Sequence, residues 1–167
     1  MNKKILHYLK EIVFFVLVMT VFANVVSFYK SADLIQAPLH LENISLLDNQ
    51  SFTLNSNEPI LVHFWATWCP TCKLEASNIQ KLSKQYQVLT IAVKSGSDAE
   101  IKKYLQENDF DFKVLNDNNG TLSSKFNISA FPTTFIYDKN KNLLLSEVGY
   151  TSTFGLWLRM WWAGLDS

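Results

Sequence analysis

Hydrophobic residues in this chain form one long run near the N-terminus and several shorter runs further along. The long run extends from Ile12 to Tyr29 and contains no charged residue over eighteen positions. As a helix it would be roughly 27 Å long, because an α-helix rises about 1.5 Å per residue. This length is close to the hydrocarbon thickness of a bilayer, so the run predicts one N-terminal transmembrane helix.

The charges that flank the run predict its orientation. The nearest cations are Lys3, Lys4 and Lys10 before the run and Lys30 after it. The positive-inside rule then leaves the N-terminus in the cytoplasm and sends the rest of the chain across the membrane. For a bacterial inner membrane, the rest of the chain would lie in the periplasm.

A cleavable signal peptide is the alternative to an uncleaved anchor. The apolar region of a signal peptide is usually shorter, and it ends in small residues at the cleavage site. Here bulky Phe28 and Tyr29 stand at the end of the run, and an aromatic side chain such as Tyr29 suits a membrane interface. The sequence therefore favours an anchor over residues 1–30.

Beyond the anchor, strand-length apolar runs alternate with helix-length amphipathic segments. Residues 31–49 are interpreted as a lead-in whose leucines, Leu39, Leu41, Leu46 and Leu47, together with Ile44, dock onto a domain that spans residues 50–167. We predict strands at 52–54, 60–65, 88–93, 110–115, 133–137 and 143–148, and helices after Cys72, from Asp98, up to Lys125 and over 151–163. In the helix after Cys72, the apolar positions at helical spacing are Leu74, Ile79, Leu82 and Tyr86. This order predicts an α/β fold with a central mixed β-sheet flanked by helices on both faces.

Composition argues against several function classes. Lys plus Arg and Asp plus Glu number fifteen each, so no basic surface indicates nucleic-acid binding. The two cysteines, Cys69 and Cys72, are only three positions apart and cannot cross-link distant segments as the disulfides of small secreted scaffolds do. A zinc site would need two further ligands, and His7, His40 and His63 lie at no suitable spacing. We therefore predict no metal site.

The two cysteines stand where the predicted strand at 60–65 turns into a helix. Two thiols at this spacing can close a small disulfide ring. A thiolate at a helix N-terminus is stabilised by unpaired backbone N–H groups and by the positive end of the helix dipole. The pair therefore indicates redox chemistry rather than a structural role.

The stretch Phe64-Trp-Ala-Thr-Trp-Cys-Pro-Thr-Cys72, with Pro132-Thr133 ahead of a later strand, resembles the thioredoxin superfamily. The lead-in, the anchor and Glu75, three residues past the second cysteine, resemble its membrane-tethered periplasmic TlpA-like branch. Within this branch, the ending over 151–164 resembles the copper-sensitivity suppressor (ScsD) type. The Cys-Pro-Thr-Cys tetrapeptide also resembles the cytochrome c maturation reductase. The resemblance covers about residues 40–165.

The resemblance implies a thioredoxin-like fold and a thiol:disulfide oxidoreductase without a separate cofactor, because the Cys69–Cys72 disulfide is itself the redox group. Cys69 would be the nucleophile and Cys72 the resolving thiol, and Pro132 would follow a cis peptide bond. The residues expected to support the site and bind substrate are Trp68, Pro70, Thr71, Phe131 and Pro132, with Trp65 also walling the site. The expected partners are periplasmic proteins that carry disulfides and a membrane thiol protein that donates electrons. Because the TlpA-like branch is mostly reducing, we expect a reductase.

Two residues near the cysteines keep two interpretations each. His63 lies six residues before Cys69, where thioredoxins have a buried acid, so it is either a proton relay or a neutral core histidine that binds a polar neighbour. Glu75 is either a proton relay or a solvated carboxylate in the first turn of the helix, where the dipole favours it.

Two alternative functions also stay open. Two soft thiolates can hold Cu(I), so the chain could be a metal-binding module of a metal-stress system. A haem-pathway reductase that acts on apocytochrome cysteines is the other alternative. The latter is weakened because Thr133 follows Pro132 where that branch usually has an acidic residue.

Overall fold

The structure is a computed structural model that describes residues 3–31, 34, 38–39, 44–47, 51–52, 55 and 57–165. Helix α1 spans Lys3–Ser31 and contains the predicted apolar run. Its segment His7–Ser27 is long and apolar enough to cross a membrane, and the described side chains from His7 to Val26 are exposed. By length and composition, this helix fits a membrane anchor and also a signal sequence.

A five-stranded mixed sheet forms the centre of the domain. Its strands, in chain order, are β3 (Ile60–Trp65), β4 (Gln87–Val93), β5 (Val114–Asp117), β6 (Thr133–Tyr137) and β7 (Leu143–Val148). The spatial order is β5-β4-β3-β6-β7, in which β3, β4 and β5 are parallel and β6 is antiparallel to both neighbours. Two short strands of the lead-in, β1 (Ile44–Ser45) and β2 (Ser51–Phe52), pair separately. The predicted mixed sheet is confirmed.

Helices cover both faces of the sheet. They are α2 (Pro70–Ser83), α3 (Asp98–Glu107), α4 (Thr121–Lys125) and α5 (Thr153–Leu165). Ile79 of α2, Ile101 of α3 and Leu156 of α5 belong to one core cluster, whereas Phe126, at the end of α4, belongs to another with the lead-in. Side chains alternate along a strand, so β3 supplies Leu61 and Trp65 to the first cluster and Ile60, Val62 and Phe64 to the second. Every residue of β3 is therefore buried.

The predicted strand over 110–115 is displaced towards the C-terminus. Phe110 and Phe112 stack on each other with ring centroids 5.5 Å apart, and Phe112 packs edge-on against Trp65. These contacts draw Phe110 and Phe112 towards the core, and pairing with β4 begins only at Val114. The strand then continues through Asp117, two residues past its predicted end.

The lead-in docks on the domain as predicted where the structure describes it. Leu39, Leu46 and Leu47 are buried in the two core clusters. Ile44 begins β1 and Phe52 ends β2, while Leu41 and the predicted strand positions 53 and 54 lie outside the described residues. His40 lies outside them as well.

The closing helix begins at Thr153, two residues later than predicted. The backbone N–H of Thr151 donates to Glu75 Oε1 at 3.0 Å, and its carbonyl accepts from Asn78 Nδ2 at 3.0 Å. Since both backbone groups of Thr151 are bound to side chains of α2, the connection between β7 and α5 is fixed against α2 before the helix starts.

The end of α1 meets the domain at β7. The backbone N–H of Val148 donates to Ser27 Oγ at 3.1 Å, and the next N–H, that of Gly149, donates to the Pro132 carbonyl at 2.8 Å. Because β7 and β3 are both antiparallel to β6, Val148 lies at the same end of the sheet as Trp65. The apolar helix therefore ends near the turn that carries the cysteines.

Candidate active site

The cysteine pair lies at the junction of β3 and α2. Cys69 is the N-cap of α2 with φ −87° and ψ 115°, and Pro70 occupies the first helical position, where a missing N–H costs nothing. A disulfide joins Cys69 to Cys72, with their Cα atoms 5.3 Å apart. Both sulfur-bearing residues are almost fully buried.

The sulfur of Cys69 is positioned to hold negative charge. The backbone N–H of Cys72 donates to Cys69 Sγ at 3.2 Å, so the sulfur takes the place of a capping oxygen. Free N–H groups and the helix dipole at this position stabilise an anion. On reduction of the disulfide, Cys69 would therefore favour the thiolate form, which is the nucleophile in thiol–disulfide exchange.

Two aromatic residues flank the disulfide. The indole Nε1 of Trp68 donates to the Lys94 carbonyl at 3.1 Å, and its ring meets Phe131 edge-to-face with centroids 5.6 Å apart. The Phe131 carbonyl oxygen lies 3.8 Å from Cys69 Sγ. The Phe131–Pro132 peptide bond is cis, as expected, and Pro132 is buried. Trp68 precedes Cys69 in the same turn, and the fold brings Phe131 and Pro132 to the cysteines from one distant segment.

Of the other residues predicted to surround the disulfide, some lie at the surface and one lies in the core. Pro70 is exposed and Thr71 is half-buried at the start of α2. Trp65, expected to wall the site, instead packs inside the domain against Tyr104 and Phe112.

The prediction that Leu74 belongs to the buried apolar face of α2 is wrong. Its side chain is 71% exposed, because the buried face of this helix follows Cys72, Glu75, Ala76, Asn78, Ile79 and Leu82. With Trp68, which is 57% exposed, and Pro70, Leu74 gives the surface near the disulfide an apolar character.

Glu75 has no exposed surface, so the prediction of a solvated carboxylate in the first turn is wrong. Burial raises the pKa of Glu75 to about 8, the hydrogen bond from Thr151 opposes this shift, and the nearby carboxylate of Glu147 adds to it. Its second oxygen, Oε2, has no hydrogen-bond partner among the described residues. Glu75 is therefore a buried carboxyl group that is mostly protonated at neutral pH.

The polar residues around Glu75 were not predicted. Glu147 of β7 pairs with Arg159 of α5 and accepts from Thr151 Oγ1 at 3.2 Å. Asn78 is buried and binds both Thr151 and Thr153, the latter at 2.7 Å. The only sequence signal was that Glu75 and Asn78 stand three residues apart within an otherwise apolar stripe, a spacing that puts both on one helix face.

His63 is buried in the middle of the sheet, where its Nδ1 lies 2.9 Å from Thr134 Oγ1. Burial lowers the pKa of His63 from 6.5 to about 3. The imidazole is therefore neutral at physiological pH, which favours the interpretation as a core histidine bound to a polar neighbour. In the strand register, Thr90, His63, Thr134 and Glu147 lie side by side across β4, β3, β6 and β7.

Within the part of the chain that the structure describes, no three His, Cys, Asp or Glu residues are close enough together to hold a metal ion. The expectation that the protein works without a metal or a separate cofactor stays a prediction.

Comparison with known protein families identifies the family. The AhpC/TSA family matches residues 35–145. The chain belongs to this family. Over 132 residues it is 36% identical to a thioredoxin-like protein of Haemophilus influenzae, an alignment that covers 75% of this chain and 78% of that protein. The same organism has a thiol:disulfide interchange protein, DsbE, that is 31% identical over 111 residues and is covered over 61% of its length.

Solved structures agree on the fold. The crystal structure of a secreted thiol-disulfide isomerase from Corynebacterium glutamicum superimposes with a TM-score of 0.67 over 81% of this chain and 89% of that chain, at 18% identity. The chain is thus a thioredoxin-like member of the AhpC/TSA family, and with its Cys69–Cys72 pair it is a thiol–disulfide oxidoreductase of the broad DsbE/ResA/TlpA type. The copper-sensitivity suppressor subtype stays a prediction.

Proposed function

We propose that this chain is a membrane-anchored periplasmic thiol:disulfide oxidoreductase that reduces disulfides in protein substrates. The observation that carries the proposal is the position of Cys69 Sγ. This sulfur caps α2, accepts a hydrogen bond from the Cys72 N–H, and lies beside the apolar surface formed by Trp68 and Phe131. At this position the thiolate form of Cys69 is stabilised, and a segment of a substrate protein can bind to the surface beside it.

The reaction is an exchange of two electrons. In the reduced protein, the Cys69 thiolate attacks one sulfur of a substrate disulfide, and the other substrate sulfur leaves as a thiolate that takes up a proton. The Cys72 thiolate then attacks Cys69 Sγ in the mixed disulfide. This step releases the second substrate thiolate and forms the Cys69–Cys72 disulfide. The substrate is reduced and the pair is oxidised.

Glu75 is suited to accept the proton of the Cys72 thiol. Cys72 and Glu75 are three residues apart on the buried face of α2, a spacing that places Cβ atoms about 5–6 Å apart. A carboxyl group with a pKa of about 8 is close to the ordinary pKa of a thiol, so a proton moves between the two at little free-energy cost. We therefore assign the ionised fraction of Glu75, which grows as the pH approaches 8, as the base that takes the proton of the Cys72 thiol when Cys72 attacks.

A membrane location is supported by α1 and its flanking charges. The uncleaved span His7–Ser27 would hold the domain at the outer face of a bacterial inner membrane, with the N-terminus in the cytoplasm. Val148 is hydrogen-bonded to Ser27, and the next residue, Gly149, is hydrogen-bonded to Pro132. These two bonds bring the end of the span within a few residues of the site. A membrane thiol protein could reach Cys69 there and restore the reduced pair.

A trapping experiment tests the proposal. The Cys72→Ser variant of the full chain cannot resolve a mixed disulfide, so it should accumulate substrate proteins bound to Cys69 in native membranes. Cys69→Ser is the matched control, because it keeps one thiol in the same turn but removes the nucleophile. Identification of the trapped proteins also separates the alternatives. Trapped apocytochromes would favour the haem pathway, and stoichiometric Cu(I) binding by the wild type without any trapping would favour the metal-binding module.

A further inference from the structure

The C-terminal helix α5 presents a continuous apolar surface to its surroundings. Its outward residues have exposed fractions between 38% and 68%, and they are Phe154, Trp157, Leu158, Trp161, Trp162 and Leu165. Their spacing of three and four residues places them along one side of the helix. Isolated apolar residues are common on protein surfaces, but a contiguous patch marks an interaction site.

The opposite side of α5 is already used by the domain core. Leu156, Met160 and Ala163 have no exposed surface and pack into the first core cluster. The one charged residue in the helix, Arg159, is paired with Glu147 of β7. A helix that covers a soluble domain normally carries charged residues on its outer side, whereas α5 is apolar on both sides.

The outer side is also unusually aromatic. Phe154 and Trp157 have ring centroids 6.3 Å apart with planes 23° from parallel, and Trp157 and Trp161 repeat this spacing at 8°. Tryptophan is enriched where proteins meet the boundary between lipid chains and headgroups, because the ring is apolar and its N–H is polar. The helix is thirteen residues long, about 20 Å, which is too short to span a bilayer but suits a helix lying along its surface.

The position of α5 favours lipid as the partner of its outer side. Ser27, the last residue of the apolar span, binds Val148, and α5 begins at Thr153 after four connecting residues. At about 3.5 Å per residue, the helix starts within about 18 Å of the point where the span ends. The aromatic surface therefore begins close in space to the segment that would emerge from the membrane.

We propose that the outer side of α5 lies in the interfacial layer of the bilayer, as a second membrane contact beside α1. The proposal rests on the membrane anchoring in the proposed function. Attachment at both α1 and α5 restricts the rotation of the domain above the membrane, so that Cys69 keeps one orientation relative to membrane-bound partners.

Fluorescence quenching of the full chain in lipid nanodiscs tests this contact. Lipids brominated at the upper acyl chain should quench the wild type strongly, while aqueous iodide should quench it no more than a variant that keeps exposed Trp68 but lacks the tryptophans of α5. The matched variant replaces Trp157, Trp161 and Trp162 by Phe, which keeps the surface apolar and leaves Trp65 and Trp68 as reporters. In this variant, we expect the quenching by brominated lipid to fall at least twofold.

Three results would overturn the proposal. They are strong iodide quenching of the wild type that the variant loses, a chain that does not stay with the nanodisc, and two chains per disc joined through α5, which would make a second copy the occupant of this surface. None of these readouts depends on turnover, so loss of disulfide exchange would count against the proposed function alone.

Discussion

The carboxyl group of Glu75 is held beneath α2 by the backbone N–H of Thr151, which lies 3.0 Å from Oε1. This bond links the helix that carries the cysteines to the turn that precedes α5. Because Glu75 is fully buried, its carboxyl group stays protonated well above the pH at which an exposed glutamate ionises. The buried carboxyl group of Glu75 should affect both the stability of the protein and the rate of thiol–disulfide exchange.

Glu75→Gln should change how stability depends on pH. In the unfolded chain Glu75 ionises near 4.5, and in the folded protein near 8, so between these values the folded state binds one more proton. The free energy of unfolding of the wild type should therefore fall as the pH rises, by about 2 kcal/mol between pH 6.5 and 8. Urea titration of the oxidised protein in detergent should show this slope in the wild type and its absence in Glu75→Gln. Glu107→Gln, at an exposed site, is the control that should keep the slope.

His63→Asn should act with the opposite sign. His63 has a pKa near 6.5 when unfolded and about 3 when folded, so its contribution to stability is complete above pH 6.5 and is lost as the pH falls. Between pH 4.5 and 6.5, this loss and the Glu75 effect cancel in the wild type, which predicts a plateau. Removing Glu75 should expose a decrease of about 2–3 kcal/mol on going from pH 6.5 to 4.5, and removing His63 should extend the Glu75 slope down to pH 4.5. A wild type that already loses stability across this range would contradict the burial of one of the two groups.

The same two residues should differ in catalysis. If Glu75 exchanges a proton with Cys72, Glu75→Gln should remove an inflection near pH 8 from the rate of mixed-disulfide resolution and slow this step by about 10²-fold or more. His63→Asn should leave the shape of that profile unchanged between pH 5 and 8, because His63 is neutral throughout. Stopped-flow Trp fluorescence during oxidation of the reduced protein measures both. An inflection that survives in Glu75→Gln and disappears in His63→Asn would assign the relay to the histidine instead.

Trp68 should matter more for protein substrates than for small disulfides. Its exposed ring stands edge-on to Phe131 beside the disulfide, so a substrate segment would cover it. We expect Trp68→Ala to raise the KM for a protein disulfide about tenfold, which corresponds to about 1.4 kcal/mol, and to change the rate with oxidised glutathione less than about twofold. Trp68→Phe keeps an aromatic ring and should lose less. Equal losses towards both substrates would show instead that Trp68 supports the cysteines and not the substrate.

The parts of this site that could be predicted from sequence are those set by local patterns. The apolar run 60–65 and the Cys69–Cys72 spacing specify a buried strand that leads into a helix N-terminus, and both occur as predicted. The predicted helix start at Asp98 also occurs, and it depends on a local contact, the capping box that Ser97 and Glu100 form. These elements depend on neighbours a few residues away.

The parts that could not be predicted depend on distant segments. Glu75 is buried because Thr151, 76 positions further along, closes over it, and a charged residue next to exposed Leu74 carries no sign of this. Phe110 and Phe112 alternate as in a strand, yet their side chains pack with Trp65 and Tyr104 before pairing with β4 begins. In both cases tertiary packing overrides the local pattern.

The reduction potential of the Cys69–Cys72 pair tests the central claim most directly. The full chain is equilibrated with glutathione redox buffers, and the fraction of reduced pair is measured by thiol alkylation, with Cys72→Ser as the control that cannot form the disulfide. A reductase requires a potential more negative than about −200 mV, in the range of thioredoxins and glutaredoxins, and this is the result we predict. A value near about −120 mV, typical of a strong oxidant, would contradict the proposed direction of electron flow.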